Sequence, residues 1–103
     1  MTMKGKDRAA LRAEAHHLRP TVHVGHQGIS DTVLQSLEEA LEARELVKVQ
    51  FGRTAPIEAK EGAGSLAESL GAEVIQVIGR TTTLYRANPD LERVAGDVPP
   101  WKR

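Results

Sequence analysis

The spacing of apolar residues divides the chain into seven segments. From Lys4 to Leu18, Leu11, Ala15 and Leu18 recur at i, i+4 and i+7, the signature of one narrow helix face. Pro20 ends that helix, because proline has no N–H to donate and disfavours helical geometry in the residue before it. Thr21-Val22-His23-Val24 then alternates as a short strand with one buried face, and Gly25-His26-Gln27-Gly28 breaks it. Ser30 is placed to cap a helix whose first turn holds Asp31 and whose apolar residues are Val33, Leu34, Leu37, Ala40 and Leu41. Leu46 to Phe51 alternates again, with Val47, Val49 and Phe51 on one face and Lys48 and Gln50 on the other.

Ala59, Ala63, Leu66, Ala67 and Leu70 mark a third helix, which Gly62 and Gly64 weaken by about 1 kcal/mol each and Gly71 stops. Ala72 to Ile78 is almost continuously apolar and rich in β-branched residues, so it is expected to be the most buried strand. Gly79-Arg80 provides a two-residue turn into Thr81-Thr82-Thr83-Leu84-Tyr85-Arg86, and the two last strands should pair antiparallel. The order α-β-α-β-α-β-β predicts an α/β fold, a compact two-layer-type sandwich with a mixed four-stranded sheet. Strands separated by helices are expected to be parallel neighbours joined by right-handed crossovers. Residues 1–87 form the expected domain. Residues 88–103, with Pro89, Pro99 and Pro100 and no apolar periodicity before Trp101-Lys102-Arg103, are expected to be a loose tail.

Composition narrows the function classes. A chain of 103 residues fits one domain, and a separate catalytic one is not expected. Its aromatic residues are Phe51, Tyr85 and Trp101, so base-stacking surfaces are scarce. The absence of cysteine excludes a disulfide framework or a thiolate metal site and suits a reducing compartment. No apolar run follows Met1-Thr2-Met3-Lys4 and none is long enough to span a membrane, which leads to the expectation of a cytoplasmic protein without a signal peptide. Net charge is zero, an argument against a generic nucleic-acid binder, but the charge is polarised. Residues 1–30 carry Lys4, Lys6, Arg8, Arg12 and Arg19 against Asp7 and Glu14, a surplus of +3. Residues 31–73 have four basic and nine acidic side chains, and residues 74–103 five basic and three acidic.

Two features suit an anionic ligand. The Gly25-His26-Gln27-Gly28 turn lies between a strand and a helix N-terminus, where free N–H groups and the helix dipole attract anions and glycine permits close approach. It is equally readable as a tight turn. It is neither a Walker loop nor a dinucleotide fingerprint. Lys4, Arg8, Arg12, His16 and Arg19 follow one another every three or four residues and share an arc of roughly 120° on the first helix. That arc is readable either as a solvated face or as a track along a phosphate backbone. A groove between helix and turn would also gain Lys48, Arg80 or Arg86, if their strand faces point outward. His16, His17, His23 and His26 lack the partners and spacing of a zinc site, and Glu38, Glu39 and Glu42 read as a solvated helix face. No catalytic residues, metal or cofactor are expected.

The run Ala15-His16-His17-Leu18-Arg19-Pro20, followed by Val22-His23-Val24-Gly25-His26-Gln27-Gly28-Ile29, resembles the CRM family, the chloroplast RNA splicing and ribosome maturation domain. The likeness continues through Val33-Leu34, Ala40-Leu41, Glu45-Leu46-Val47-Lys48-Val49, Val77-Ile78-Gly79-Arg80 and Leu84-Tyr85-Arg86. It implies a fold similar to the C-terminal domain of translation initiation factor three, a KH-like GxxG loop, and a role in ribosome biogenesis through ribosomal RNA and precursors of the large ribosomal subunit. By position, the RNA-contacting loop would be Gly25, His26, Gln27 and Gly28. The basic surface would be Lys4, Arg8, Arg12 and Arg19, with Lys48, Arg80 and Arg86 beside it. Family members often have a basic residue between the glycines, where this chain has His26-Gln27. The expectation is therefore a monomeric, non-catalytic RNA-binding protein. The alternative is a protein-interaction module that docks on a basic partner through the acidic middle segment.

Overall fold

The structure, a computed structural model, describes residues 5–91; Lys4 and the segment 92–103, including Trp101-Lys102-Arg103, lie outside the described residues. Seven elements occur in the expected order: α1 (Gly5–Ala15), β1 (Val22–Val24), α2 (Asp31–Arg44), β2 (Leu46–Phe51), α3 (Ala59–Leu70), β3 (Glu73–Ile78) and β4 (Thr81–Tyr85). α1 stops three residues short of Leu18. The His17 and Leu18 N–H groups donate to the carbonyls three residues back, Glu14 at 3.0 Å and Ala15 at 3.1 Å, so the chain tightens before Pro20 instead of continuing as α-helix. Ser30 caps α2 as expected, its hydroxyl accepting the Val33 N–H at 3.3 Å.

β1 pairs parallel with β2, β2 antiparallel with β4, and β4 antiparallel with β3, giving the sheet order β1-β2-β4-β3. Two expectations are corrected by this order. β2 and β3, although joined through α3, are not neighbours, because β4 inserts between them. β3 is an edge strand and not the most buried one: only Ile75 is buried along it, whereas β2 buries Leu46, Val47, Val49 and Phe51 and β4 buries Thr82, Thr83 and Leu84. Central position outweighs hydropathy here. Thr82 tolerates burial because its Oγ1 donates to the Gln76 carbonyl at 3.3 Å.

Helices cover both faces. α2 and α3 enclose the main core, built from Val22, Val24, Leu37, Leu41, Val47, Val49, Phe51, Ala59, Leu66 and Leu84. On the opposite face, Leu11 and Ala15 of α1 pack with Leu46 and Ile75, flanked by Leu18 and Tyr85. Complete burial of one leucine such as Leu11 contributes about 2 kcal/mol. α1 reaches only the part of this face where β2 begins and β4 ends. Strand alternation places His23, Lys48 and Gln50 on the remainder of the same face.

Gly62, which by propensity alone weakens α3, has a packing role. A Cβ at this position would lie 2.4 Å from the Phe51 ring, so only glycine lets α3 close over the end of β2. Glu45 links α2 to β2 in the left-handed region, at φ 67°, and is fully buried. Its carbonyl accepts the Arg86 N–H at 3.0 Å and its carboxylate the Asn88 N–H at 2.7 Å, which ties the chain leaving β4 to the end of α2.

Candidate nucleic-acid interface

Because β1 and β2 are parallel, the segments that leave their C-terminal ends emerge side by side. The Gly52 N–H donates to the Val24 carbonyl at 2.8 Å, joining the β2 exit to the strand that feeds the glycine turn. On the other side, the Phe51 N–H donates to the Arg80 carbonyl at 2.7 Å, bringing in the β3–β4 hairpin, whose Gly79 has φ 57°. Three connections, residues 25–28, 52–54 and 79–80, therefore share one end of the sheet. In open α/β sheets, the carboxyl ends of parallel strands are where ligands bind.

Within the turn the two glycines differ. The Gly28 N–H closes on the Gly25 carbonyl at 2.9 Å, and Gly28 is buried at φ 71°. An added Cβ there would sit 3.1 Å from Pro56 Cγ, so Gly28 shapes the turn and seats it on the β2–α3 loop. Gly25 is exposed, and an added Cβ would meet nothing within 4 Å. Between them His26 and Gln27 are exposed, and their backbone N–H groups make no hydrogen bond among the described residues. These are two donors left for an external acceptor. The α2 terminus is less available: Ser30 already occupies the Val33 N–H, and Asp31 places a negative charge in the first turn. Anion affinity at this end rests on the tip of the turn more than on the helix dipole.

The structure separates the sequence-predicted cations into two kinds. Arg8 donates to the Glu73 carboxylate at 3.0 Å and the Val74 carbonyl at 2.6 Å, fastening α1 to the edge strand β3. Arg86 pairs with Glu38 and donates to the Leu70 carbonyl at 2.9 Å, fastening the end of β4 to α2 and α3. Both have internal partners. Arg12, Arg19, Lys48 and Arg80 make no ion pair among the described residues. Arg80 borders a depression of about 440 Å³ with Arg53, Lys60 and Glu58. Arg53 and Lys60 are the additions that sequence reading missed. Arg19 and Lys48 border a different depression, of about 290 Å³.

The helix arc and the glycine turn are not two walls of one groove, as the sequence reading expected. α1 packs over Leu46 at the start of β2, whereas the turn adjoins Phe51 at its end, about 17 Å away at the rise of a strand. The acidic middle segment is mostly helical surface: α2 carries Asp31, Glu38, Glu39 and Glu42 against Arg44, and α3 carries Glu61 and Glu68 against Lys60. Among the described residues no three His, Cys, Asp or Glu side chains form a group that could hold a metal ion. No described helix is long and apolar enough to cross a membrane.

These features define a class: small α/β domains that gather a glycine turn, free backbone donors and unpaired cations at the carboxyl ends of parallel strands. The chain belongs to the CRS1/YhbY (CRM) domain family, whose model matches residues 3–86. It is 34% identical over 92 residues to "Probable RNA-binding protein YqeI" of Bacillus subtilis, covering 89% of this chain and 96% of the relative. It is 35% identical over 102 residues to "Probable RNA-binding protein MJ0652" of Methanocaldococcus jannaschii, covering 97% of this chain and 75% of the relative. The solution structure of the hypothetical protein SAV1595 from Staphylococcus aureus superposes with a TM-score of 0.74 at 32% identity, over 88% of this chain and 95% of that one.

Proposed function

We propose that this protein binds RNA, and specifically ribosomal RNA in precursors of the large ribosomal subunit, through the end of the sheet that carries Gly25-His26-Gln27-Gly28. The observation that supports this most is the turn itself: Gly25 opens onto free space beside the unbonded N–H groups of His26 and Gln27. Phosphate oxygens accept from such donors, and Arg53, Arg80 and Lys60 supply compensating charge nearby. Few aromatics are available for stacking, and Tyr85 packs into the α1 core, so recognition runs through backbone and shape more than through bases. The acidic outer surface of α2 and α3 repels RNA and orients the loop end toward it. In this reading the protein acts in the cytoplasm as a monomer and catalyses no reaction.

The test is Gly25→Glu, which places a carboxylate where phosphate would approach while leaving Gly28 and its contact with Pro56 intact. RNA affinity measured on the full chain should fall by about tenfold, or about 1.4 kcal/mol, with the melting temperature unchanged. Normal affinity in a folded Gly25→Glu protein would reduce the turn to a structural connection. For the cellular target, tagged protein should sediment with large-subunit precursors at low salt; sedimentation only as free protein would contradict the ribosomal assignment.

A further inference from the structure

The depression at the opposite end of β1 has no place in the reading above. It is lined by His17, Arg19 and Thr21 from the α1–β1 connection, Arg44 from the end of α2, and Lys48 from β2, with a volume of about 290 Å³. The Thr21 N–H donates to the Lys48 carbonyl at 3.1 Å, so the connection is pinned to β2 and the cations are held together. No acidic side chain lines the depression, and His17, Arg19, Arg44 and Lys48 make no ion pair among the described residues. Arg8 and Arg86, elsewhere in the molecule, both have carboxylate partners. Clustered like charges without a counterion repel one another, so this arrangement costs stability unless an anion occupies it.

We infer that this depression is a second phosphate-binding subsite for the same RNA, with the strand's backbone running along the exposed edge of β1 from the glycine turn to Arg19, Arg44 and Lys48. β1 is an edge strand only three residues long, with the turn at its C-terminal end and the depression at its N-terminal end. The two are therefore about 10 Å apart. Between them stand His23, which is exposed, and Gln50, its register partner on β2, neither of which obstructs an anionic chain. A gap of about 10 Å is bridged by a short stretch of one continuous strand. A GxxG loop engages about four nucleotides, so the whole footprint exceeds a tetranucleotide and fits within a decanucleotide. The inference rests on the glycine turn as the primary contact and adds to it the length and path of the RNA.

The experiment compares a tetranucleotide with a decanucleotide of single-stranded RNA, each titrated into the full chain. The proteins are wild type, the double variant Arg19→Gln/Arg44→Gln, and a control, Ser36→Glu/Ser69→Glu, which changes net charge equally on the exposed outer surface of α2 and α3. The double variant should bind the tetranucleotide as wild type does, yet lose about tenfold for the decanucleotide. Its salt slope for the decanucleotide should fall by about 1.4, the contribution of two single-strand phosphates. The control should lose less than half as much. Equal decanucleotide affinity and slope in wild type and double variant, or an equal loss in the control, would overturn the second subsite. Failure of the primary reading is separable, because it would show as Gly25→Glu binding both RNAs normally.

Discussion

Diagonally opposite corners of the sheet use the same residue type in opposite ways. Where β3 begins and β4 finishes, arginines are consumed internally: Arg8 by Glu73 and the Val74 carbonyl, Arg86 by Glu38 and the Leu70 carbonyl. Buried Glu45 adds a further tie there through Asn88. Where β1 and β2 finish, Arg53 and Arg80 make no ion pair among the described residues, and the N–H groups of His26 and Gln27 are unbonded. One corner spends its polar groups on holding α1, α2 and β4 together; the other leaves them available. A count of basic residues does not distinguish these corners, whereas the presence of a carboxylate partner does.

The comparison is tested by substitutions whose effects should divide between stability and binding. The largest expected effect is Gly62→Ala, which forces a Cβ into the Phe51 ring and should destabilise the fold by about 2–3 kcal/mol in chemical denaturation. Arg86→Ala should cost about 2 kcal/mol, because Glu38 and the Leu70 carbonyl lose their shared donor, while the salt slope of RNA binding stays as in wild type. Arg53→Gln with Arg80→Gln should do the converse: RNA affinity falls by about tenfold, or about 1.4 kcal/mol, and the melting temperature moves by less than about 2 °C. Arg8→Ala is the smallest, about 1 kcal/mol of stability, since its ion pair is partly exposed, again with RNA binding intact. A variant of Arg8 or Arg86 that folds normally but loses RNA would erase the distinction between the two corners.

Much of the fold was legible because local signals agreed with one another. Ser30 as a cap, alternation from Leu46 to Phe51, Gly71 as a stop and Gly79-Arg80 as a hairpin each rest on short-range chemistry and each reappear in the structure. Sheet order was not legible. Three threonines make β4 read as more exposed than the Val/Ile-rich β3, yet β4 is central, and the hydrogen bond that makes Thr82 tolerable inside comes from tertiary pairing. The partners of Arg8 and Arg86 lie 65 and 48 residues away, beyond any local pattern. Arg53 and Lys60 were hidden by the acidic average of residues 31–73. A signal for Arg53 did exist: parallel pairing of the strands ending at Val24 and Phe51 necessarily brings residue 53 to the end that carries the glycine turn.

The most direct test of the central claim is a titration of the isotopically labelled full chain with ribosomal RNA fragments, followed amide by amide. The account predicts that the N–H signals of Gly25, His26, Gln27 and Gly28 shift first and most, together with those of Arg53 and Arg80, while those of Arg8, Glu38, Glu73 and Arg86 stay in place. Shifts concentrated on α2 and α3, with the glycine turn unmoved at saturating RNA, would contradict it.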